Sequence, residues 1–90
     1  MTLEAVQPWV VEVRCANRSH RPLVSALWQE VPHLPRELFD TSDAVGLRVE
    51  VLATDGEDAL AYVQARITRL RGSGWVKGVD YNLSASPRRR

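Results

Sequence analysis

One short run of the chain combines residue types that bind anions: Asn17-Arg18-Ser19-His20-Arg21. It holds two guanidiniums and two further hydrogen-bonding side chains, and it lies between a predicted strand and the predicted start of a helix. Free amides and the dipole at a helix start attract negative charge, and arginine binds carboxylates and phosphates with paired hydrogen bonds. These residues therefore predict a site for a small anionic metabolite. An ordinary capped loop is the alternative interpretation.

The other residue types that could support chemistry lack the required spacing. His20 and His33 have no cysteine or carboxylate at metal-ligand spacing beside them. Cys15 is the single cysteine, which excludes an intrachain disulfide and a cysteine-based metal cluster. The sequence contains no glycine-rich phosphate loop and no nucleophile elbow. We therefore expect no catalytic residues, no metal and no cofactor.

The charge balance argues against a dedicated nucleic-acid binder. The net charge is +1, but Arg88, Arg89 and Arg90 supply three of the twelve basic residues. The first 87 residues therefore carry nine basic and eleven acidic groups, a net charge of −2. Nucleic-acid binders are usually basic over the contact surface. We expect only weak, salt-sensitive contacts from the terminal arginines and no specific nucleic-acid partner.

Length and hydropathy predict one small domain. Ninety residues suffice for a single core with little stability to spare, so self-association would help. We assign residues 1–84 to the domain and 85–90 to a disordered basic tail. The chain has no signal-peptide pattern and no run of about 20 apolar residues. A cytoplasmic location without a membrane partner is the expectation.

The elements that would position these residues follow from the hydrophobic periodicity. Alternation predicts strands at Trp9–Cys15, Leu34–Thr41, Gly46–Ala53 and Trp75–Leu83. Helical spacing predicts one helix that begins near Ser19 or His20 and ends near Val31. It predicts another from the capping box Thr54-Asp55-Gly56-Glu57 to Gly72. The order β-α-β-β-α-β is that of a ferredoxin-like α+β sandwich, a four-stranded antiparallel sheet in the order 4-1-3-2 with both helices on one face.

In that arrangement the uncovered sheet face carries an alternating set of charges. The outward residues of the two central strands are Glu12, Arg14, Arg48 and Glu50, flanked by the apolar Val10, Leu52 and Val76. RNA-recognition modules with this element order stack bases on aromatic residues at these positions, so RNA binding by the sheet is disfavoured. A face with equal numbers of each sign can instead contact its own copy about a twofold axis. A solvated face is the alternative.

The strand-to-helix junction resembles a known family. Arg21-Pro22-Leu23 follows a strand and opens a helix in a β-α-β-β-α-β chain of this length. This resembles the first strand-helix junction of ACT domains, although Leu23 stands where that family usually has glycine. The resemblance implies a regulatory module that binds amino acids or other metabolites, usually at a dimer interface.

Two other functional classes remain open. A small dimeric enzyme of the ferredoxin-like kind, a cofactor-free monooxygenase or isomerase, would use a cavity near Trp28, Tyr62, Tyr81 and His20. A protein-binding module would contact its partner through an exposed sheet edge. A deep cavity with tyrosine or histidine pointing into it would favour the enzyme. A filled core with a pocket only between subunits would favour regulation. The regulatory or assembly module is our first hypothesis.

Overall fold

Two helices cover one face of a four-stranded antiparallel sheet in the computed structural model, which describes residues 5–16, 21–72 and 81–88. The strands are β1 (Gln7–Cys15), β2 (Arg36–Asp40), β3 (Val45–Ala53) and β4 (Asn82–Pro87); the helices are α1 (Arg21–Glu30) and α2 (Gly56–Gly72). The order along the sheet is β2-β3-β1-β4, which from the other edge reads 4-1-3-2. The predicted α+β class is confirmed.

The core lies between the central strands and the two helices. Alternate residues of β1 and β3 point at the helices and are buried, while their neighbours face away. From the helices, residues at three- and four-residue spacing complete the cluster. The buried cluster includes Val11, Val13, Cys15, Leu47, Val49 and Val51 from the sheet, and Leu23, Leu27, Ala59, Val63 and Ile67 from the helices.

The N-cap of helix α2 lies one residue later in the chain than the capping box Thr54-Asp55-Gly56-Glu57 predicts. The Asp58 amide donates to Asp55 Oδ1 at 2.8 Å, and the Thr54 hydroxyl donates to Asp58 Oδ2 at 2.7 Å. Asp55 is therefore the N-cap in place of Thr54, in line with the stronger preference of aspartate for that position. None of the helices in the described ranges is both long and apolar enough to cross a membrane.

Strands β2 and β3 form the predicted hairpin around a four-residue turn, 41–44. Thr41 organises the turn, because its amide donates to the Ala44 carbonyl at 2.8 Å and its hydroxyl oxygen accepts from the Ala44 amide at 3.1 Å. Threonine in turns commonly bonds to its local backbone in this way. The turn fixes the register that places the β2 side chains on the two sheet faces.

The last strand and the tail need correction. β4 is Asn82–Pro87, so residues 85–87 belong to the sheet, and the assignment of 85–90 to a disordered tail is wrong for residues 85–88. The Arg88 amide donates to the Pro8 carbonyl at 3.1 Å. Small residues disfavour a strand locally, but pairing with β1 and the packing of Leu83 and Ala85 on the core stabilise one here. Residues 73–80, where the strand was predicted to start, and residues 89–90 lie outside the described residues.

Candidate functional site

The sheet face opposite the helices, here called the open face, collects alternate residues of all four strands. All six residues predicted as an interface belong to it. The open face consists of Glu37 and Phe39 from β2, Gly46, Arg48, Glu50 and Leu52 from β3, Pro8, Val10, Glu12 and Arg14 from β1, and Asn82, Ser84 and Ser86 from β4.

A chain of ion pairs crosses the open face. Glu12 lies directly opposite Arg48, and Arg48 Nε is 3.1 Å from Glu12 Oε1. Arg14 approaches the same carboxylate at 3.8 Å, and Arg48 Nη1 reaches Glu37 at 3.2 Å. Such partly exposed pairs each contribute about 0–1 kcal/mol to stability. Because of these contacts, the guanidiniums of Arg14 and Arg48 already have carboxylate partners.

Glu50 has a partner that the sequence did not indicate. Arg88, in the segment predicted to be disordered, places Nη1 3.0 Å from Glu50 Oε1. Glu12, Glu37 and Glu50 therefore balance Arg14, Arg48 and Arg88 across this surface. Among the residues that the structure describes, these six charges sum to zero, and each of them has a neighbour of opposite sign.

An aromatic ring also lies on the open face. Phe39 crosses from β2 onto β3 at Gly46, where a methyl group would overlap both the ring and the Val13 carbonyl oxygen. The Arg48 guanidinium carbon lies 4.5 Å from the ring centroid and that of Arg14 5.8 Å, within cation-π range. The sequence did not show which residues of β2 face away from the helices. Phe39 was therefore not predicted to lie on the open face. Glycine at 46 is the one local signal of a side chain lying across the strand.

One end of the open face is apolar. Leu52, 69% exposed, lies opposite Pro8 in the β1–β3 register, and Val10 is two residues further along β1. Next to this end is an open depression of about 400 Å³, lined by Val10, Pro35, Arg36, Glu37, Arg48, Val49 and Glu50. The depression is shallow and mixed in polarity, and it adjoins the apolar end through Val10.

The predicted anion site is only partly within the described residues. Asn17, Arg18, Ser19 and His20 lie outside them, whereas Arg21 is the first residue of α1. The Arg21 guanidinium forms an ion pair with the Asp40 carboxylate on β2. An anion bound by Arg21 would compete with Asp40. The site at residues 17–21 stays a prediction.

The aromatic residues that the enzyme hypothesis grouped around one cavity take part in separate contacts. The Tyr62 hydroxyl is 3.5 Å from His33 Nε2, and the Tyr81 hydroxyl accepts from Gln64 Nε2 at 2.7 Å. Trp28 lies against the Arg36 guanidinium, 3.9 Å from ring centroid to guanidinium carbon. None of these rings lines the depression on the open face.

Cys15 is fully buried at the end of β1, and burial raises the pKa of its thiol above the ordinary value of 9.0. A pKa raised by folding gives a contribution to stability that is complete below about pH 9 and is lost at higher pH. We expect the difference in unfolding free energy between the native chain and Cys15→Ala to be constant near neutrality. It should shrink above about pH 9, by at most about 1.4 kcal/mol per pH unit. Urea unfolding from neutral to alkaline pH measures it, and a difference that stays constant throughout would contradict the prediction.

Comparisons with known proteins concern the fold alone. No protein-family model matches the chain, and no curated protein matches it. Among solved structures, the de novo designed protein Foldit4 is similar, with a TM-score of 0.50 and 18% sequence identity. The match covers 92% of this chain and 100% of the designed chain. At this identity the likeness supports the α+β arrangement of elements and carries no information on function.

Proposed function

We propose that this chain is a ferredoxin-like, non-enzymatic assembly module that forms a homodimer through the open face of its sheet. The main support is Leu52, a large apolar side chain that is 69% exposed on a central strand. Pro8 lies opposite Leu52 and Val10 lies nearby, so the three residues together form an apolar patch. Contiguous exposed apolar surface often marks a contact site.

A second copy of this chain fits the surface better than other partners. Three acids and two arginines lie on the open face and Arg88 lies beside it, so a twofold axis can bring each sign against the other. A nucleic acid would need surplus positive charge and aromatic rings free to stack. Here the arginines are paired, and Phe39 is flanked by Arg48 and Arg14.

A regulatory role is the extension of this proposal. The depression adjoins the apolar end through Val10, so a small polar molecule held there would lie beside the second copy. The resemblance to ACT domains at Arg21-Pro22-Leu23 implies a different position for the metabolite, at the junction of β1 and α1. The assembly role depends only on the face contact and is tested first.

Replacing Leu52 with lysine should weaken the dimer, because it places a hydrated charge on each side of the twofold contact. Each lost leucine contact is worth about 1.5–3 kcal/mol, so the Kd should rise by about tenfold or more. Sedimentation velocity at increasing protein concentration measures the association. At concentrations where the chain is monomeric, thermal stability should change little, because the side chain is exposed in the single chain.

The matched control is Leu52→Met, which keeps the volume and apolar character of the side chain. It should associate like the native chain. A native chain that stays monomeric at about 100 µM, where a micromolar dimer is largely assembled, would rule out the proposal. Equal association of the Leu52→Lys and Leu52→Met variants would rule out the open face as the contact.

A further inference from the structure

Tyr62 and Arg66 lie on the border of α2 that faces the C-terminal end of α1. They are one helical turn apart and flank the buried stripe of Val63 and Ile67. The Tyr62 hydroxyl is 3.5 Å from His33 Nε2, in the turn that follows α1, and the Arg66 guanidinium carbon is 5.0 Å from the centroid of the Tyr62 ring. A guanidinium, a phenol hydroxyl and an imidazole therefore meet on the helix side of the molecule. We call these three residues the helix-side cluster.

Arg66 is half-buried and has no partner of opposite charge. In the part of the chain that the structure describes, its guanidinium forms no ion pair, and its buried Nε has no hydrogen-bond partner. Partial removal of a charge from water without such a partner is costly. The Tyr62 ring offsets some of this cost, because a cation over an aromatic face is attracted to it. An anion bound against the guanidinium would offset more.

The acids near the helix-side cluster are engaged elsewhere. Glu30, the last residue of α1, reaches Arg69, with 3.9 Å between Arg69 Nε and Glu30 Oε1. Asp58, one turn before Tyr62, accepts from the Thr54 hydroxyl at 2.7 Å at the start of α2. Two arginines thus stand against one glutamate at the α1 end of the cluster, and this excess of positive charge favours an anion.

The turn that carries His33 is held by two hydrogen bonds. The Leu34 amide donates to the Val31 carbonyl at 3.2 Å, and Arg36 Nη1 donates to the Pro32 carbonyl at 3.0 Å. These bonds also supply the carbonyls that follow α1 with donors from their own segment. His33 is therefore held beside α2, while its side chain stays exposed to a ligand.

We propose that His33, Tyr62 and Arg66 bind the phosphate group of a small molecule, either free phosphate or a phosphate ester. The guanidinium supplies the charge and paired hydrogen bonds, and the hydroxyl and the imidazole supply one hydrogen bond each. The 3.5 Å contact between the hydroxyl and the imidazole is long for a hydrogen bond, so both groups can turn to a ligand. A phosphate fits these donors better than a planar carboxylate does, because it has more acceptor oxygens and they point in more directions.

This inference goes beyond the proposed function, because the helix-side cluster and the open face lie on opposite sides of the sheet. Phosphate should therefore bind equally to the native chain and to the Leu52→Lys variant. Loss of binding in that variant would contradict a site that is complete within one chain. The cluster also belongs to other segments than the predicted anion site at residues 17–21, so one experiment can distinguish the two.

The first test is a titration of the full chain with inorganic phosphate at constant ionic strength, followed by NMR. The amides of His33, Tyr62 and Arg66, and the Arg66 Nε–H resonance, should shift in a saturable way, with a Kd on the order of 1 mM. Shifts confined to residues 17–21 would place the anion in the other loop and would overturn the proposal. The absence of any saturable shift up to about 50 mM phosphate would also overturn it.

The second test compares variants that remove single donors. Arg66→Gln should weaken phosphate binding at least about tenfold, and Tyr62→Phe should weaken it about threefold to tenfold, because each loses a hydrogen bond to a charged group. Tyr62→Phe keeps the ring and the net charge, so a weaker affinity there reports the hydroxyl alone. The matched control is Arg71→Gln, which makes the same charge change at an exposed position of α2 and should bind like the native chain. Equal affinities of Arg66→Gln and Arg71→Gln would overturn the proposal.

The third test compares ligands. Glycerol phosphate that binds more tightly than inorganic phosphate supports the site and identifies a phosphate ester as the ligand, whereas equal or weaker binding of the ester supports the site and identifies free phosphate. Acetate should bind at least about tenfold more weakly than phosphate, because it presents fewer acceptor oxygens and less charge. Acetate that binds as tightly as phosphate would contradict a phosphate site. Circular dichroism of each variant confirms that the chains compared are folded.

Discussion

Replacing Gly46 with alanine is expected to lower the free energy of unfolding by about 3 kcal/mol, the upper part of the range for overpacked sites. The added methyl group would overlap the Phe39 ring and the Val13 carbonyl oxygen. The ring can rotate away, but the carbonyl belongs to central strand β1 and can move only if the β1–β3 ladder shifts. Urea denaturation measures the change.

Gly72→Ala is the matched control for this substitution. Gly72 ends α2, and beyond its own turn of helix no heavy atom of the described residues lies within 4 Å of the position its methyl group would take. Its stability should therefore differ from that of the native chain by less than about 1 kcal/mol. A second variant, Gly46→Ala with Phe39→Ala, relieves the overlap with the ring but not with the carbonyl. If Gly46→Ala alone were as stable as the native chain, the close approach of β1 to β3 at this point would be wrong.

The second large effect is expected at Leu47. This leucine of β3 is fully buried in the core, and truncation to alanine removes its contacts and leaves a cavity. Such changes cost about 2–5 kcal/mol. Domains of this size have a total stability on the order of 5–15 kcal/mol, so the loss is a large fraction of the whole. Thermal unfolding should show a clearly lowered Tm.

Leu52→Ala on the same strand is the control, because it makes the same chemical change on the opposite face. Leu52 is exposed in the single chain, so at concentrations where the chain is monomeric its truncation should cost less than about 1 kcal/mol. A comparable loss from both variants would mean that the face assignment of β3 is incorrect. At higher concentration, any additional loss from Leu52→Ala would report the proposed face contact.

The central strands could be predicted because their signal is local. Alternation of apolar and charged residues in β1 and β3 assigns their faces, and turn residues at 41–44 fix the hairpin between β2 and β3. β4 could not be predicted at Asn82–Pro87, because Ser84, Ala85 and Ser86 have little preference for a strand. Pairing of Pro87 with Trp9, far away in sequence, stabilises it instead.

The face on which the candidate residues lie could be predicted for the same reason. The six interface residues were assigned to the correct face by alternation alone. The contacts that organise the surface around them join distant segments: Arg88 with Glu50, Arg21 with Asp40, and Phe39 over Gly46. Contacts between distant segments produce no periodic pattern in the sequence. They can be identified only when the register of the strands is known.

The central place of β1 has a consequence for how the chain acquires its structure. β1 is the first element in the sequence, yet both strands that flank it, β3 and β4, come later. During synthesis β1 therefore emerges before either neighbouring strand. It can pair only after residues 45–53, and then residues 82–87, have been synthesised. Long loops must close before these pairings form, which slows folding, whereas the β2–β3 hairpin needs only its short turn. A growing chain thus leaves the apolar side chains of Val11 and Val13 exposed until residues 82–87 have been synthesised and can pair with β1.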